Sequence, residues 1–319
     1  MKDFDAAHPS WPHGEKFINP NVTAKGEKRA TVALTNPQTL WFNTGTLCNI
    51  TCVNCYIDSS PKNDALVYIT TEEVTAYLDE LEGLDWDLRE IAFTGGEPFM
   101  NPDMIDMTRA ALARGYEVLI LTNAMQPMQR PAVQAGLVAL NREFPNKLTL
   151  RISLDHWSQE NHDEMRGLGS FSRTLDGMDW LRDAGISMAV AARSLWHETD
   201  AEARSGFADL YRARNYKIDA QNPAITVIFP EMDARVEVPE ITTECWGILD
   251  KSPDSVMCAS SRMVVKRKGE APSVAACTLL PYDRQFDLGV TLKEAQKDVA
   301  LNHPHCAKFC VLGGASCSA

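Results

Sequence analysis

The most constraining feature of the sequence is a regular alternation of strand-like and helix-like segments between residues 38 and 231. Parallel strands give this pattern, because a parallel crossover needs a helix between its two strands. We therefore predict an α/β fold in which βα units form a partial, TIM-like (β/α)6 barrel. The segments that read as strands are 39–45, 89–96, 116–124, 147–155, 186–193 and 224–231.

Helix boundaries can be predicted from the residues that flank the apolar periodicity. Thr70 precedes an acidic first turn and an apolar face at helical spacing, which predicts a helix over 70–84. Asn101 and Gly115 are expected to begin and end the next helix. Further helices are expected near 130–142, at 170–185 and at 199–214.

Composition narrows the class of protein. The 319 residues are 45% apolar, which is enough for a barrel-sized core. The formal charge of −12 argues against nucleic acid as the main partner. The polar start lacks a signal peptide and no apolar run is long enough to span a membrane, so we expect a cytoplasmic protein. In a reducing compartment the nine cysteines are more typical of metal ligands or catalytic groups than of disulfides.

The pattern changes at both ends of this alternation. Residues 1–37 read as an irregular N-terminal extension, 38–231 as the core domain and 232–319 as a small cysteine-rich domain. Within the last domain we predict a β-hairpin over 262–280 and a short helix over 291–301.

Three cysteines follow the first predicted strand directly: Cys48, Cys52 and Cys55 form a CxxxCxxC loop. In a barrel, loops at this end of the strands build active sites. A structural zinc site usually closes with four ligands, so three thiols leave one position open. An iron–sulfur cubane held in this way would keep one iron free for another molecule. On this loop alone, a zinc site remains the alternative.

The spacing, with an aromatic residue after the last cysteine (CNITCVNCY, 48–56), resembles the signature of the radical SAM superfamily. The resemblance implies a [4Fe–4S] cluster whose open iron is chelated by S-adenosylmethionine (SAM). One electron then cleaves the sulfonium, and the 5′-deoxyadenosyl radical abstracts hydrogen from a substrate. It implies an oxidoreductase or transferase of unidentified substrate, with an electron donor such as a flavodoxin or ferredoxin.

Three later segments extend the resemblance in the same order. TGGEP (94–98) corresponds to the glycine-rich SAM segment, LTNA (121–124) to a polar strand end, and RISLD (151–155) to an SxD strand. Two departures stand out: Ala124 and His156 each replace a usual glycine. The resemblance assigns cofactor binding to Tyr56, Gly95, Gly96, Glu97, Pro98, Asn123, Ser153, Asp155, Arg166 and Arg193.

These assignments have physical reasons. Gly95 and Gly96 allow close backbone approach, and Glu97 could bind the ammonium group of SAM. A guanidinium matches a carboxylate with two parallel hydrogen bonds, which suits Arg166 and Arg193 to the SAM carboxylate. A surface arginine at a helix end is the alternative for Arg166. No catalytic residue is predicted beyond the cluster.

The second group of cysteines resembles the C-terminal SPASM and twitch domains, which hold auxiliary [4Fe–4S] clusters. The full SPASM pattern has seven cysteines and this tail has five, which favours one cluster. The predicted metal ligands here are Cys258, Cys277, Cys306, Cys310 and Cys317, without a choice of which four bind. The cluster could accept an electron, anchor the substrate or stabilise the fold, and a zinc ribbon is the alternative. Cys245 lies outside this pattern and reads as a buried free thiol.

Two kinds of substrate fit the sequence. Relatives with such tails often modify peptides or proteins, whereas the short N-terminal stretch favours a small molecule. No nucleic-acid or membrane partner is expected. The rival hypothesis is a non-catalytic iron–sulfur or zinc protein, which would have no affinity for SAM.

Overall fold

The computed structural model describes residues 14–231, 233 and 236–314. In chain order the strands are β1 (Thr31–Val32), β2 (Thr39–Asn43), β3 (Glu90–Thr94), β4 (Glu117–Thr122), β5 (Leu148–Ser153), β6 (Ser187–Ser194), β7 (Thr226–Pro230), β8 (Ser261–Val265), β9 (Ser273–Ala275), β10 (Asp287–Gly289) and β11 (Val299–Ala300). The α-helices are α1 (Thr71–Leu81), α2 (Met104–Ala113), α3 (Pro131–Glu143), α4 (Gln159–Arg166), α5 (Ser170–Asp183), α6 (Asp200–Arg214) and α7 (Cys245–Ile248).

Shorter helical segments complete the description. Five are 3₁₀ turns, at Pro98–Met100, Pro253–Ser255, Met257–Ala259, Arg284–Phe286 and Glu294–Gln296. A sixth segment, Cys306–Leu312, is π-helical. The described helices include none that is long and apolar enough to span a membrane.

Strands β2 to β7 lie side by side in sequence order, and each is parallel to the next. The predicted α/β partial barrel is therefore confirmed. Because all six strands run the same way, their carboxyl ends meet at one edge. The loops that follow β2, β3 and β4 carry the cysteine, TGGEP and TNA segments, so they converge there.

The C-terminal region continues this sheet. Strand β8 pairs in parallel with the outer edge of β2, β9 pairs antiparallel with β8, and β10 with β9. The predicted hairpin is thus present as β8 and β9. The domain boundary at residue 231 stays a prediction. Hydrogen bonds between β2 and β8 cross from one proposed domain to the other.

Two apolar cores lie on opposite faces of the sheet. The larger packs the outer face against the helices; on α1 it takes up the predicted apolar face of Val74, Tyr77, Leu78 and Leu81. A smaller cluster fills the barrel interior with side chains from β2, β3, β4, β8 and β9. The hairpin therefore helps to close the barrel from within. The residues of this inner cluster are Trp41, Ala92, Leu119, Met263, Val265 and Ala275.

Helix starts were predicted with mixed success. Thr70 caps α1 through a capping box with Glu73, as predicted. Asn101 does not cap α2, which begins at Met104 with Asp103 before it. The side-chain Nδ2 of Asn101 instead donates to the carbonyl oxygens of Thr44 and Ile69. These bonds connect this turn to the first barrel loop.

The short helix predicted over 291–301 is wrong. The segment contains only the 3₁₀ turn Glu294–Gln296 and the two-residue strand β11. The carbonyl groups of Ala295 and Lys297 accept hydrogen bonds from the buried Arg262 guanidinium. A regular helix would need those carbonyls for its own hydrogen bonds.

Candidate active site and metal centres

Cys48, Cys52 and Cys55 line one cavity of about 100 Å³ at the carboxyl ends of the barrel strands. We call it the thiol cavity. Its other walls come from β3, β4, β5, β6 and α4, so six separate segments build it. Those walls are Tyr56, Ser59, Thr94, Gly95, Gly96, Leu121, Thr122, Asn123, Ser153, Arg166 and Arg193.

The donor set fits a cluster better than a single ion. In the part of the chain that the structure describes, no three His, Cys, Asp or Glu side chains converge on a position for one metal ion. A zinc ion needs such convergence, whereas each thiolate of an iron–sulfur cubane binds its own iron. Burial raises the pKa of Cys48 to about 12 and also raises that of Cys52. A bound metal would hold these buried thiols as thiolates at neutral pH.

An ion-paired triad lies beside the thiols. Asp155 is buried and accepts two hydrogen bonds from Arg166, at 2.8 and 2.9 Å from Nε and Nη2. Arg193 Nε lies 3.6 Å from the same carboxylate. Burial opposes ionisation of Asp155, but the two guanidinium groups outweigh it and lower its pKa. Asp155 lines the barrel chamber and is not among the residues that line the thiol cavity, so the charged side chains on the thiol cavity wall are the two arginines.

Arg166 also reaches the cysteine loop. Its Nη1 lies 3.8 Å from Cys52 Sγ. Arg193 Nη1 donates to the carbonyl oxygen of Val53 at 3.2 Å, and the Val53 amide donates to Met165. The surface-arginine interpretation of Arg166 is wrong, since its side chain is only 12% exposed and points into the cavity.

The glycines of TGGEP are required by the neighbouring loop. A Cβ at Gly96 would lie 2.2 Å from the Leu47 carbonyl oxygen, and one at Gly95 would lie 2.6 Å from that of Gly45. The backbone amide of Gly96 donates to the Gly45 carbonyl, and that of Glu97 donates to the Leu47 carbonyl. Both glycines line the thiol cavity, and their lack of side chains is what lets the cysteine loop pack on β3.

Glu97 is directed away from the cavity. Its carboxylate accepts hydrogen bonds from Thr122 Oγ1 at 2.8 Å and from the Asn123 amide at 2.9 Å. Burial raises its pKa to about 7 despite these bonds. Neither Glu97 nor Pro98, which begins a 3₁₀ turn, is among the residues that line the thiol cavity. Glu97 therefore joins the ends of β3 and β4 beneath the site.

The remaining predicted positions face the cavity. Asn123 Nδ2 donates to Asn49 Oδ1 at 2.9 Å and lies 4.0 Å from Cys48 Sγ. Ser153 lies at the end of β5, and Tyr56 directly follows the last cysteine of the loop. Ala124 adopts the left-handed backbone that the usual glycine would favour, with φ of 57°.

A second cavity of about 110 Å³ continues into the barrel. We call it the barrel chamber. It shares Tyr56, Thr94, Leu121, Ser153, Arg166 and Arg193 with the thiol cavity, so the two spaces adjoin. Its remaining walls are mainly apolar and include C-terminal residues. They are Trp41, Asn54, Arg151, Asp155, Ala191, Ala192, Phe229, Pro230, Glu231, Thr278, Leu279 and Phe309.

Four of the five predicted C-terminal ligands also meet. Cys258, Cys277, Cys306 and Cys310 line a small apolar space of about 20 Å³, which we call the C-terminal cysteine cavity. Cys317 lies outside the described residues. Cys245 is a free thiol that is half-buried, where we expected it to be buried, and it lines neither cysteine cavity.

Sequence reasoning missed several residues of the barrel chamber. Trp41 and Arg151 lie on strands at positions that point inward, and Arg151 is two residues before Ser153 on the same strand face. A charged residue inside an apolar strand was the available signal. Phe309 could not have been found in this way, because its place depends on the C-terminal segment folding over the barrel, where it stacks on Phe229.

The comparison with protein families decides the classification. Residues 42–203, half of the chain, match the family model described as the radical SAM superfamily. The chain belongs to the radical SAM superfamily. Members of this superfamily are enzymes that bind SAM at a [4Fe–4S] cluster.

Individual curated relatives match about half of this chain. The AdoMet-dependent heme synthase of Methanosarcina barkeri is 29% identical over 51% of this chain and 46% of its own length. The subtilosin biosynthesis protein AlbA of Bacillus subtilis is 30% identical over 48% of this chain and 33% of its own. The match thus spans less than half of each relative.

The fold agrees with solved radical SAM structures. Streptococcus suis SuiB bound to S-adenosylmethionine superposes with a TM-score of 0.58 and 12% identity, over 80% of this chain and 63% of SuiB. SuiB is also known bound to its precursor peptide SuiA. At this identity the likeness supports the fold alone.

Proposed function

We propose that this chain reductively cleaves SAM at a [4Fe–4S] cluster held by Cys48, Cys52 and Cys55, and abstracts hydrogen from a substrate in the barrel chamber. The observation that carries the proposal is that the thiol cavity and the barrel chamber adjoin through shared wall residues. A molecule bound at the thiols therefore has direct access to a mainly apolar space inside the barrel. Such a space suits radical chemistry, because it keeps water and stray hydrogen donors away.

When bound, the cluster supplies the electron that cleaves SAM to methionine and the 5′-deoxyadenosyl radical. The protein groups bind and orient SAM. Arg166 and Arg193 carry the net positive charge that attracts its carboxylate, while Asp155 fixes the direction of Arg166. Ser153 offers a hydroxyl at the boundary between the two spaces.

The glycine edge and Asn123 complete the proposed binding site. Gly95 and Gly96 present backbone at the cavity wall, and Asn123 orients the cysteine loop through Asn49. Tyr56 contributes a ring where the two spaces meet. For Glu97 and Pro98 we propose a supporting role through β3 and β4, in place of direct contact with SAM.

We further propose that residues 232–319 form a SPASM/twitch-like domain with one auxiliary [4Fe–4S] cluster. Its ligands would be Cys258, Cys277, Cys306 and Cys310, which already supply four thiolates without Cys317. Leu279 lines both the C-terminal cysteine cavity and the barrel chamber. One side chain of separation suits transfer of an electron from a substrate radical to this cluster.

The substrate is proposed at the level of its class. The barrel chamber is lined by Trp41, Phe229 and Phe309 and has a volume of about 110 Å³. A small molecule is the first candidate, and the name of the heme-synthase relative favours it. A peptide substrate is the second, and the names of AlbA and of the SuiB–SuiA complex favour it. A flavodoxin or ferredoxin is the proposed electron donor.

The test is SAM cleavage by the anaerobically reconstituted and reduced protein, measured as 5′-deoxyadenosine by mass spectrometry. The wild type should release it and Cys52→Ala should not. Cys245→Ala is the matched control, because this cysteine lies in neither cysteine cavity, and it should keep wild-type activity. An iron-loaded wild type that releases no 5′-deoxyadenosine would contradict the proposal.

A further inference from the structure

We propose that Arg262 is the buried counter-charge of the C-terminal cysteine cavity and raises the reduction potential of the cluster bound there. The inference rests on the auxiliary cluster proposed above. It concerns a residue that neither the sequence motifs nor the relatives assign. Arg262 lies on β8, four residues after Cys258, and is 1% exposed.

The Arg262 guanidinium is held entirely by neutral groups. It donates to the carbonyl oxygens of Ala295 at 2.8 Å, Cys258 at 2.6 Å, Ser261 at 2.8 Å and Lys297 at 3.1 Å. Among the described residues it forms no ion pair with a carboxylate. These bonds use four of its five N–H groups, and Asp298 is the carboxylate that acts on its charge without forming an ion pair.

Three other buried arginines of this chain form ion pairs with carboxylates. Arg29 pairs with Glu240, Arg204 with Asp200 and Arg267 with Asp287. An uncompensated buried charge is costly, so proteins retain one mainly where an opposite charge is bound nearby. The position of Arg262 therefore points to an anion that the side chains alone do not provide.

The neighbouring cysteines indicate what this anion is. Arg262 Nη1 lies 2.6 Å from the carbonyl oxygen of Cys258, so the guanidinium borders one of the four proposed ligands. An arginine side chain stays protonated at neutral pH, so a fixed cation lies beside this ligand. A [4Fe–4S] cluster on four thiolates is an anion, and reduction adds one more negative charge. A fixed cation favours the reduced form and so raises the potential.

Arg262 also has a structural role that the test must separate from its charge. It bonds to the carbonyl of the ligand Cys258 and to the segment that precedes β11. Loss of these bonds could loosen the cavity without any electrostatic effect. A reduction potential measured on fully loaded protein responds to the charge, whereas a purely structural role would change only iron content and stability.

The experiment is an EPR-monitored redox titration of the full chain carrying Cys48→Ala, Cys52→Ala and Cys55→Ala, so that only C-terminal iron remains. In this background Arg262→Gln should lower the ratio of reduced to oxidised cluster at a fixed potential about tenfold, a shift of about 59 mV to more negative values. Arg262→Lys keeps the charge and should stay close to the background. Arg267→Gln is the matched control, since Asp287 already neutralises that arginine in the same hairpin.

Each outcome bears on the proposal. An unchanged potential in iron-loaded Arg262→Gln overturns it, and so does an equal shift in Arg262→Lys or in Arg267→Gln. If Arg262→Gln loses its iron, retention of iron at the background potential by Arg262→Lys supports the charge role, and loss in both variants overturns it. A background without iron or sulfide would instead show that the auxiliary cluster is absent.

Discussion

The two cysteine cavities of this protein differ in the number of thiols, in charge and in access. The thiol cavity has three cysteines, a glycine edge and two arginines, and it adjoins the barrel chamber. The C-terminal cysteine cavity has four cysteines among apolar side chains and about a fifth of the volume. Under the proposed function, three thiols beside two arginines would leave an iron available to a charged ligand, whereas four thiols in an apolar space would close the coordination.

The difference indicates a division of roles. An open and positively charged site can bind a carboxylate-bearing cofactor and let it react. A closed and apolar site holds a cluster that exchanges electrons without binding substrate. This division of roles would be contradicted if a substitution at one cavity had the effect predicted for the other.

The largest effect is expected from removal of a ligand. Cys52→Ala should abolish 5′-deoxyadenosine release, because the open cluster is lost. Cys306→Ala should keep SAM cleavage, since its thiol lines only the closed cavity. Each variant should lose about four irons of the total. Iron and sulfide analysis with the 5′-deoxyadenosine assay checks both expectations.

Abolished SAM cleavage in Cys306→Ala with its other cluster intact would reverse the assignment. The Cys245→Ala variant guards against a general effect of removing a thiol. It should keep both the iron content and the activity of the wild type.

The next effect concerns SAM affinity. Arg166→Met removes the cation that Asp155 directs into the thiol cavity, so SAM binding should weaken about 10- to 100-fold, as for loss of a charge-assisted hydrogen bond. Equilibrium binding to the oxidised, iron-loaded protein measures this. Arg173→Met, which loses an exposed arginine bonded to Gly169 and Leu168, should leave the affinity unchanged. Equal weakening in both variants would remove Arg166 from the site.

The glycine edge should show a smaller effect, mainly on stability. Gly96→Ala places a Cβ against the Leu47 carbonyl, so the cysteine loop must shift and the protein should lose about 1–3 kcal/mol. Gly247→Ala is the control, because nothing lies within 4 Å of its added Cβ. Denaturant unfolding under anaerobic conditions measures both. Wild-type stability of Gly96→Ala would mean that this contact is easily relieved.

The smallest predicted effect is the loss of folding stability at acidic pH. Burial, together with Arg166, lowers the pKa of His162 to about 4, so the folded protein keeps it neutral while the unfolded chain protonates near pH 6.5. The contribution of His162 to the free energy of unfolding is therefore complete above pH 6.5. It falls as the pH drops toward 4, because the unfolded chain takes up the proton first. Between pH 7.5 and 5.5 the loss should be about 1 kcal/mol, and His162→Gln should lack it. An identical acid dependence in both proteins would contradict this assignment.

Much of the fold was predictable because it depends on local periodicity. The apolar face of α1, the order of six parallel strands and the cysteine loop after the first strand all follow from short stretches of sequence. The irregular course of residues 291–301, where we predicted a short helix, was not predictable. Arg262 binds the carbonyl groups that such a helix would need. That contact joins residues more than thirty positions apart and has no local signal.

The candidate site was predictable to the same extent. The motifs identify Cys48, Ser153 and Arg166, because each lies at a strand end or in a recognisable spacing. They do not reveal that Glu97 points inward beneath the site, which depends on Thr122 of the next strand. Nor do they place Phe309 in the barrel chamber, since that requires the C-terminal segment to fold back onto β7.

The central claim is that only the cluster at Cys48, Cys52 and Cys55 has an open iron. The most direct measurement is EPR of the reduced protein with and without SAM, on wild type, Cys52→Ala and Cys306→Ala. We predict that SAM changes the signal that Cys52→Ala removes and leaves the other signal unaltered. A SAM-dependent change in the signal that Cys306→Ala removes, or no change in either signal, would contradict the account.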